Sequence, residues 1–581
     1  MAPRASFRFW SAWLIGGLMA ALLWYGPLLN SFWGSLAEMF IFGIFVSLPL
    51  AWFLTKLSKK TWAQDWRVAL RVIAAMAVFF FLFYSAFLLR KHDNFFTGYD
   101  LSIFDQAIWH MSHLQIPEST IRNVPWVFGD HFDPIIALLA PVYALFPDAR
   151  TLLVAQVFLL IAGVAVVYLW SKKEKIAPFM AVLVSFLYLT HPGIQGAVNC
   201  DFHEIAFAPL LILAVFYFVS RKKWRSFFVS AFLLLLVKEE FALWVAAIGV
   251  FVILREKEVR AGVATLIMGV VYFLLVMNVF MPALNPVGSG YAYGNLYPGF
   301  ENGFGAGLSY YAHNPAKIVD VVAQNPDKWW TIALYILPLA VPFAFDFLGI
   351  ILFLPAVATR VLSSYKYLSY AGLYYNAVFA ALAVVVLIHF LTSGKMAAWR
   401  SKAGELFGRV GVDFPIWVLA VVISVNLFYS YGYSYLLDPV YNWRSIDRQF
   451  KSERLALIAE VPATAIVSAS SYMLPHLSQR QKLYILPRIS DAEYVIFDYC
   501  EENKCNYWPT GPDNMTEIRA FLAQNPLYRI KTENQAGIVF ERTGPVDDVQ
   551  RAELAKFCQK IIDQSELEPI HRQYLSVNCG D

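Results

Sequence analysis

The chain has 581 residues, of which 59% are hydrophobic, 17% aromatic and only 15% charged, with a formal net charge of +4. Soluble globular chains carry about a quarter charged residues, so this composition excludes an ordinary water-soluble globule. It leaves a lipid bilayer as the solvent, and no nucleic-acid partner is expected.

At the N-terminus, Arg4 and Arg8 precede an apolar run over 9–29 that has no small-residue cleavage site. An uncleaved first span with a cytoplasmic N-terminus is predicted. Further apolar segments follow at 35–55, 68–89, 151–170, 177–191, 205–220, 226–237 and 241–254. The last ones are 261–281, 331–345, 347–362, 375–392 and 414–430. Lys/Arg clusters at Lys56–Lys60, Lys172–Lys175, Arg221–Arg225, Arg255–Arg260 and Lys395–Lys402 mark cytoplasmic loops. Residues 226–254 lie between two such clusters and carry Lys238-Glu239-Glu240 at their centre, so they read as two short helices with the charges at the far turn.

The expectation is a polytopic α-helical membrane protein of about thirteen spans, ending in a small α/β domain on the non-cytoplasmic side of a bacterial-type cytoplasmic membrane. Its parts are N-terminal helices over 1–89, a transmembrane core over 90–430 and the outer domain over 431–581. Four loops share the outer face: 90–150, 191–204, 282–330 and 363–374. The run Pro134–Phe146 is too short to cross and reads as an interfacial helix. In the tail, strands are predicted at 465–468, 482–486 and 493–497, helices at 472–480 and 516–523, and a hairpin over 528–541. Four of the five cysteines lie there, and Cys500–Cys505 and Cys558–Cys579 are possible disulfides in an oxidising compartment.

Chemistry concentrates in the outer loops. In Gly98-Tyr99-Asp100-Leu101-Ser102-Ile103-Phe104-Asp105 a helix is predicted, with Asp100 at its start as a possible cap. Ile103, Phe104, Ala107 and Ile108 would face the membrane. Asp105 is a mid-helix aspartate among apolar residues, an unfavourable place without a reason. Gly129-Asp130-His131-Phe132-Asp133-Pro134 is either turn chemistry or, with Glu204, a ligand set for a divalent ion, Mg or Mn. Asp201-Phe202-His203-Glu204 is a second cluster for acid–base work, or else a helix cap. Lys238 and Glu239 form either an internal ion pair or a phosphate site. The Gly- and Tyr-rich loop 282–330 suits a cover whose aromatics stack on sugars, or a plain surface loop. His476, after Pro475, is a candidate for a catalytic role, with a structural histidine after a helix-starting proline the favoured reading.

The strings YDLSIFDQAIWH, GDHFDPIIALLAPVYALFPD, DFHEIAFAPLLILAVFY and LLLLVKEEFAL resemble the membrane proteins grouped as domain-of-unknown-function family 2079. LPAVATRVLSSYKYLSYAGLYYNAV and AIVSASSYMLPHLSQRQKLYILP are similar to later parts of that pattern. The family in turn resembles the GT-C superfamily of polytopic glycosyltransferases. That likeness implies a carboxylate in the first outer loop, matched by Asp100 and Asp105, and a lipid-phosphate sugar donor. It also draws His131, Asp201, His203, Lys238 and Glu239 into substrate and phosphate binding. Two departures stand out: Tyr374-Tyr375 replaces a His-Tyr pair, and no close Asp-x-Asp pair occurs in the first loop.

The functional expectation is an inverting transferase moving a sugar from a polyprenyl-phosphate donor to a glycan, lipid or protein acceptor. The rivals are a transporter or flippase of a lipid-linked or polar solute, which gains nothing from the absence of internal repeats, and a non-catalytic membrane scaffold.

Overall fold

A computed structural model describes residues 32–284, 292–301, 303–323, 325–434, 436, 448–499, 512–565, 567 and 579. The expected first span over 9–29 and the pair Cys500–Cys505 lie outside the described residues.

Among the described residues, eight helices are long and apolar enough to cross a bilayer: Leu36–Ser58, Trp66–Asp93, Ala149–Lys173, Pro178–Asn199, Val259–Leu284, Asp327–Phe345, Tyr374–Thr392 and Phe414–Gly432. Shorter apolar helices at Pro134–Leu145, Glu204–Ser220, Trp224–Leu235 and Phe347–Val361 accompany them. The chain is a multi-pass membrane protein. Two helices show how sequence sets depth in the bundle. Ala377–Thr392 is apolar all round and nearly every side chain is buried, so it forms the centre. Helix α1 (Trp66–Asp93) leaves Val78, Phe79 and Leu82 exposed on one face, as a rim helix against lipid does.

Helix α2 (Tyr99–Ser112) follows in the first loop. Its Ile103, Phe104, Ala107 and Ile108 were expected to face the membrane, but all four are buried inside the protein. Helix Ala140–Leu145, Phe202 and His203 from the next loop, and the tail enclose this helix, and such contacts are invisible to a local periodicity. Asp100 does not cap α2 either; Gly98 occupies the N-cap position, without a side-chain cap bond.

The tail carries a five-stranded sheet in the order β2-β1-β3-β5-β4. The strands are β1 (Val467–Ala469), β2 (Leu483–Ile485), β3 (Tyr494–Asp498), β4 (Tyr528–Asn534) and β5 (Gly537–Arg542). β1 pairs in parallel with β2 and β3, while β5 runs antiparallel to β3 and β4. Helix Pro512–Gln524 and helix Asp548–Gln564 cover one face through Ile518, Leu522 and Ile561. The second helix begins on a capping box between Asp547 and Gln550. Cys558 on it is joined to Cys579 by a disulfide. The helix predicted over 472–480 is instead a set of turns around one 3₁₀ turn, Leu474–His476. Pro475 lacks an amide donor, and Ser478 spends its hydroxyl on Asp105 rather than on its own backbone alone.

The tail and the first loop interlock. Thr120 Oγ1 donates to the Leu483 carbonyl and accepts from the Leu483 amide, both at 2.8 Å. Arg488 Nη1 donates to the Thr120 carbonyl at 3.2 Å. His476 stacks on His92 and packs against Phe95, which gives that histidine a structural place. Loops from one end of the helices thereby surround a hollow.

Candidate functional site

The hollow is a cavity of about 690 Å³, within the usual range for a ligand site. It gathers residues far apart in sequence: Asp100 from α2, Asp130, His131 and Asp133 from the first loop, and Asp201, His203 and Glu204 from the next. Lys238 reaches it from the turn between two short helices. Tyr365, Lys366, Tyr367, Tyr374 and Tyr375 line it from the loop before the central helix.

Asp100 sits in the first turn of α2, where the helix dipole favours an anion. Its side chain is 53% exposed, into the cavity, and its Oδ2 lies 3.5 Å from His203 Nε2. Burial pushes its pKa up, but His203, Arg122 and Lys238 outweigh that and hold the carboxyl below its usual range. His203 is fixed from behind. Its Nδ1 lies 2.9 Å from the Asp201 carbonyl, and its ring stacks on Tyr374 at 3.3 Å between centroids. A ring whose Nδ1–H donates to a carbonyl turns Nε2 toward Asp100. The Asp201 carboxylate binds Lys91 Nζ at 2.9 Å and accepts the Gly98 amide at 2.8 Å, which anchors the start of α2.

On the second wall, Arg122 grips Asp130 with two bonds, Nε to Oδ2 at 2.8 Å and Nη2 to Oδ1 at 2.7 Å. The same guanidinium donates to Tyr99 at 2.9 Å and to Tyr293 at 3.1 Å. Burial raises the Asp130 pKa, but Arg122 and His131 override it and hold the carboxyl well below the ordinary range. His131 stacks on Tyr293, and its Nδ1 lies 2.9 Å from Glu239 Oε1. The other Glu239 oxygen accepts the Phe132 amide at 2.9 Å. Lys238 Nζ donates to Glu204 Oε1 at 2.9 Å.

Asp133 differs from its neighbours. It is buried, and among the described residues its Oδ1 has no hydrogen-bond partner. Burial, then the charge of Glu204, then Glu239 and Asp130 push its pKa well up, with Lys238 opposing.

The expected site residues therefore divide. Asp100, Asp130, His131, Asp133, Asp201, His203, Glu204 and Lys238 meet in the cavity. Glu239 stands behind it, orienting His131. Asp105, expected as a catalytic alternative to Asp100, does not line it. Five residues along a helix turn the side chain by about 140°, so Asp105 points away. It is fully buried and accepts from Tyr143 and Ser478, each at 2.6 Å. Burial is the first cause that lifts its pKa, to about 7.

The donor set expected for a divalent ion does not fit one. Asp130 is held by Arg122, His131 by Glu239 and Glu204 by Lys238. Among the described residues no group of three His, Cys, Asp or Glu side chains converges on a metal position.

Sequence reading missed Lys91, Arg122, Lys366 and the tyrosines around them. Lys91 looks like any cation closing a helix, and Arg122 like any loop arginine. Tyr365-Lys366-Tyr367 in the loop before the central helix was a usable signal, because a cation between two aromatics suits a polar ligand. Lys366 is exposed and forms no ion pair among the described residues.

A family model described as "Predicted membrane protein (DUF2079)" matches residues 91–540. No curated protein matches the sequence. Among solved structures, the chain is similar to the crystal structure of ArnT from Cupriavidus metallidurans bound to undecaprenyl phosphate. The identity is 12% and the TM-score 0.45, over 82% of this chain and 98% of that one. A likeness of that degree carries no inference about chemistry.

Proposed function

Starting from a chain that belongs to the DUF2079 family of predicted membrane proteins, we propose that it is a GT-C-type glycosyltransferase acting on the outer face of a cytoplasmic membrane. The donor is a polyprenyl-phosphate sugar whose tail stays in the bilayer. The observation that carries this reading is the sharing of one cavity by the exposed Asp100, the fixed His203, several cations and a wall of tyrosines.

In the proposed reaction the acceptor hydroxyl attacks the anomeric carbon and its proton passes to the Asp100 carboxylate. A base must be free of its proton to work, and the neighbouring cations keep Asp100 in that form. The new glycosidic bond forms as the bond from the anomeric carbon to the phosphate oxygen breaks. The electron pair leaves with the polyprenyl phosphate, and the configuration inverts. Fixed cations stabilise a departing phosphate without reorganising. Lys238 is held for that task by Glu204, and Lys366 brings a charge not already spent on a carboxylate, while His131 is oriented by Glu239. Asp133, driven toward its protonated form, adds a donor for a phosphate or sugar oxygen. Tyr365 and Tyr367 line the same cavity and are the aromatics proposed to meet the sugar.

The test is reconstitution of the purified chain in liposomes with a panel of radiolabelled polyprenyl-phosphate sugars. Loss of label from the lipid in the wild type, abolished in a folded Asp100→Asn variant, supports the proposal. Label that crosses the bilayer while still on the lipid, for every donor, overturns it in favour of transport.

A further inference from the structure

A second cavity, of about 530 Å³, opens where the end of α1 meets α3, the helix Arg448–Ala459 at the start of the described tail. Its chemistry is basic. Arg90 comes from the last turn of α1, and Arg448 and Lys451 from the first turn of α3. The acid on its wall is already committed, since Asp93 Oδ1 binds Arg150 at 2.6 and 3.0 Å. Neither Arg448 nor Lys451 forms an ion pair among the described residues.

An independent feature points to a ligand. Asn94 lines this cavity with 6% of its surface exposed, and among the described residues its amide Nδ2 has no partner. A buried donor without a partner is costly, and an acceptor oxygen in the cavity removes that cost. Three cations and one free amide donor describe a site for phosphate oxygens.

The surroundings select which phosphate. Val78, Phe79 and Leu82 are 59%, 60% and 60% exposed on α1, and Ala86 continues the same face into the cavity. Steps of three and four residues keep these side chains on one side of the helix. Leu82 and Arg90 are separated by about 12 Å along the axis at 1.5 Å per residue. The stripe that faces the hydrocarbon thus runs directly into the basic pocket.

We propose that this cavity binds the anionic phosphate headgroup of a bilayer lipid whose acyl chains lie along the exposed face of α1. The bound lipid bridges the span to the tail and holds α3 against the membrane. Its site is separate from the larger cavity and does not depend on the reaction proposed there.

The full-length protein in neutral detergent is titrated with phosphatidylglycerol, phosphatidylcholine or inorganic phosphate, and adducts are counted by native mass spectrometry alongside melting temperature. Arg448→Glu combined with Lys451→Glu is compared with wild type and with Lys317→Glu, an exposed charge elsewhere. Phosphatidylglycerol is expected to form a saturable adduct and raise the melting temperature, with half-saturation at least tenfold weaker in the double variant and unchanged in Lys317→Glu. Asn94→Leu, which removes the donor without reversing a charge, is expected to weaken it too and serves if the double variant fails to fold. Unaltered phosphatidylglycerol binding in the variants overturns the proposal. So does an equal response to phosphatidylcholine or to inorganic phosphate alone.

Discussion

Replacing Asp105 by asparagine separates a structural carboxyl from a catalytic one. The wild-type carboxyl is fully buried between Tyr143 and Ser478, and its pKa rises from 3.8 to about 7. A carboxyl raised on folding binds its proton more tightly in the folded state, so stability is greatest at low pH. It falls as the pH climbs through the interval between the two values, and the loss is complete above about 7. That interval corresponds to a ceiling of about 4 kcal/mol, of which about 3 kcal/mol is lost between pH 5 and pH 8. Asparagine is close to isosteric, can accept from one hydroxyl and donate to the other, and does not ionise. The variant should therefore lose this pH slope and melt higher than wild type at pH 8, with little difference at pH 5. The assay is thermal unfolding of both proteins in one detergent over pH 5–8, followed by turnover of each at neutral pH. A folded Asp105→Asn protein that has lost turnover would refute the reasoning and return Asp105 to the chemistry. Parallel pH slopes in the two proteins would refute the burial argument.

Asp100→Asn should lower turnover by about 10²–10⁴ while leaving the melting temperature near wild type, since this side chain is exposed to the cavity. Arg122→Leu should destabilise the protein by about 3–5 kcal/mol, because it strands the buried Asp130 charge. Adding Asp130→Leu should recover most of that loss, as measured by thermal unfolding. A chelator should leave turnover unchanged, because Arg122 already holds Asp130, Lys238 holds Glu204 and His131 meets Glu239, which among the described residues leaves Asp133 alone of the expected set; turnover lost on chelation and restored by Mg or Mn would show that reading to be wrong.

Some of this protein was legible without any fold. The apolar segments from residue 35 onward carry their own solvent preference, so each was readable as a unit and reappears as a helix or part of one. The strands of the tail and the hairpin over Tyr528–Arg542 were legible for the same reason, as local pattern suffices there. The clusters around Asp130, Asp201 and Lys238 were visible because charged groups are costly near hydrocarbon and rarely lie there idle. Local pattern could not say which neighbour each charge would meet. Asp100 and Asp105 look equivalent in the string, yet the helix turn sends one into the cavity and the other under Ser478, 373 residues away. Arg122 and Lys91 carried almost no signal, because a lone cation in a loop or at a helix end usually faces water. What tertiary structure alone decided was pairing: ionic and hydrogen-bond partners act within a few ångströms in space, and the sequence orders residues only along the chain.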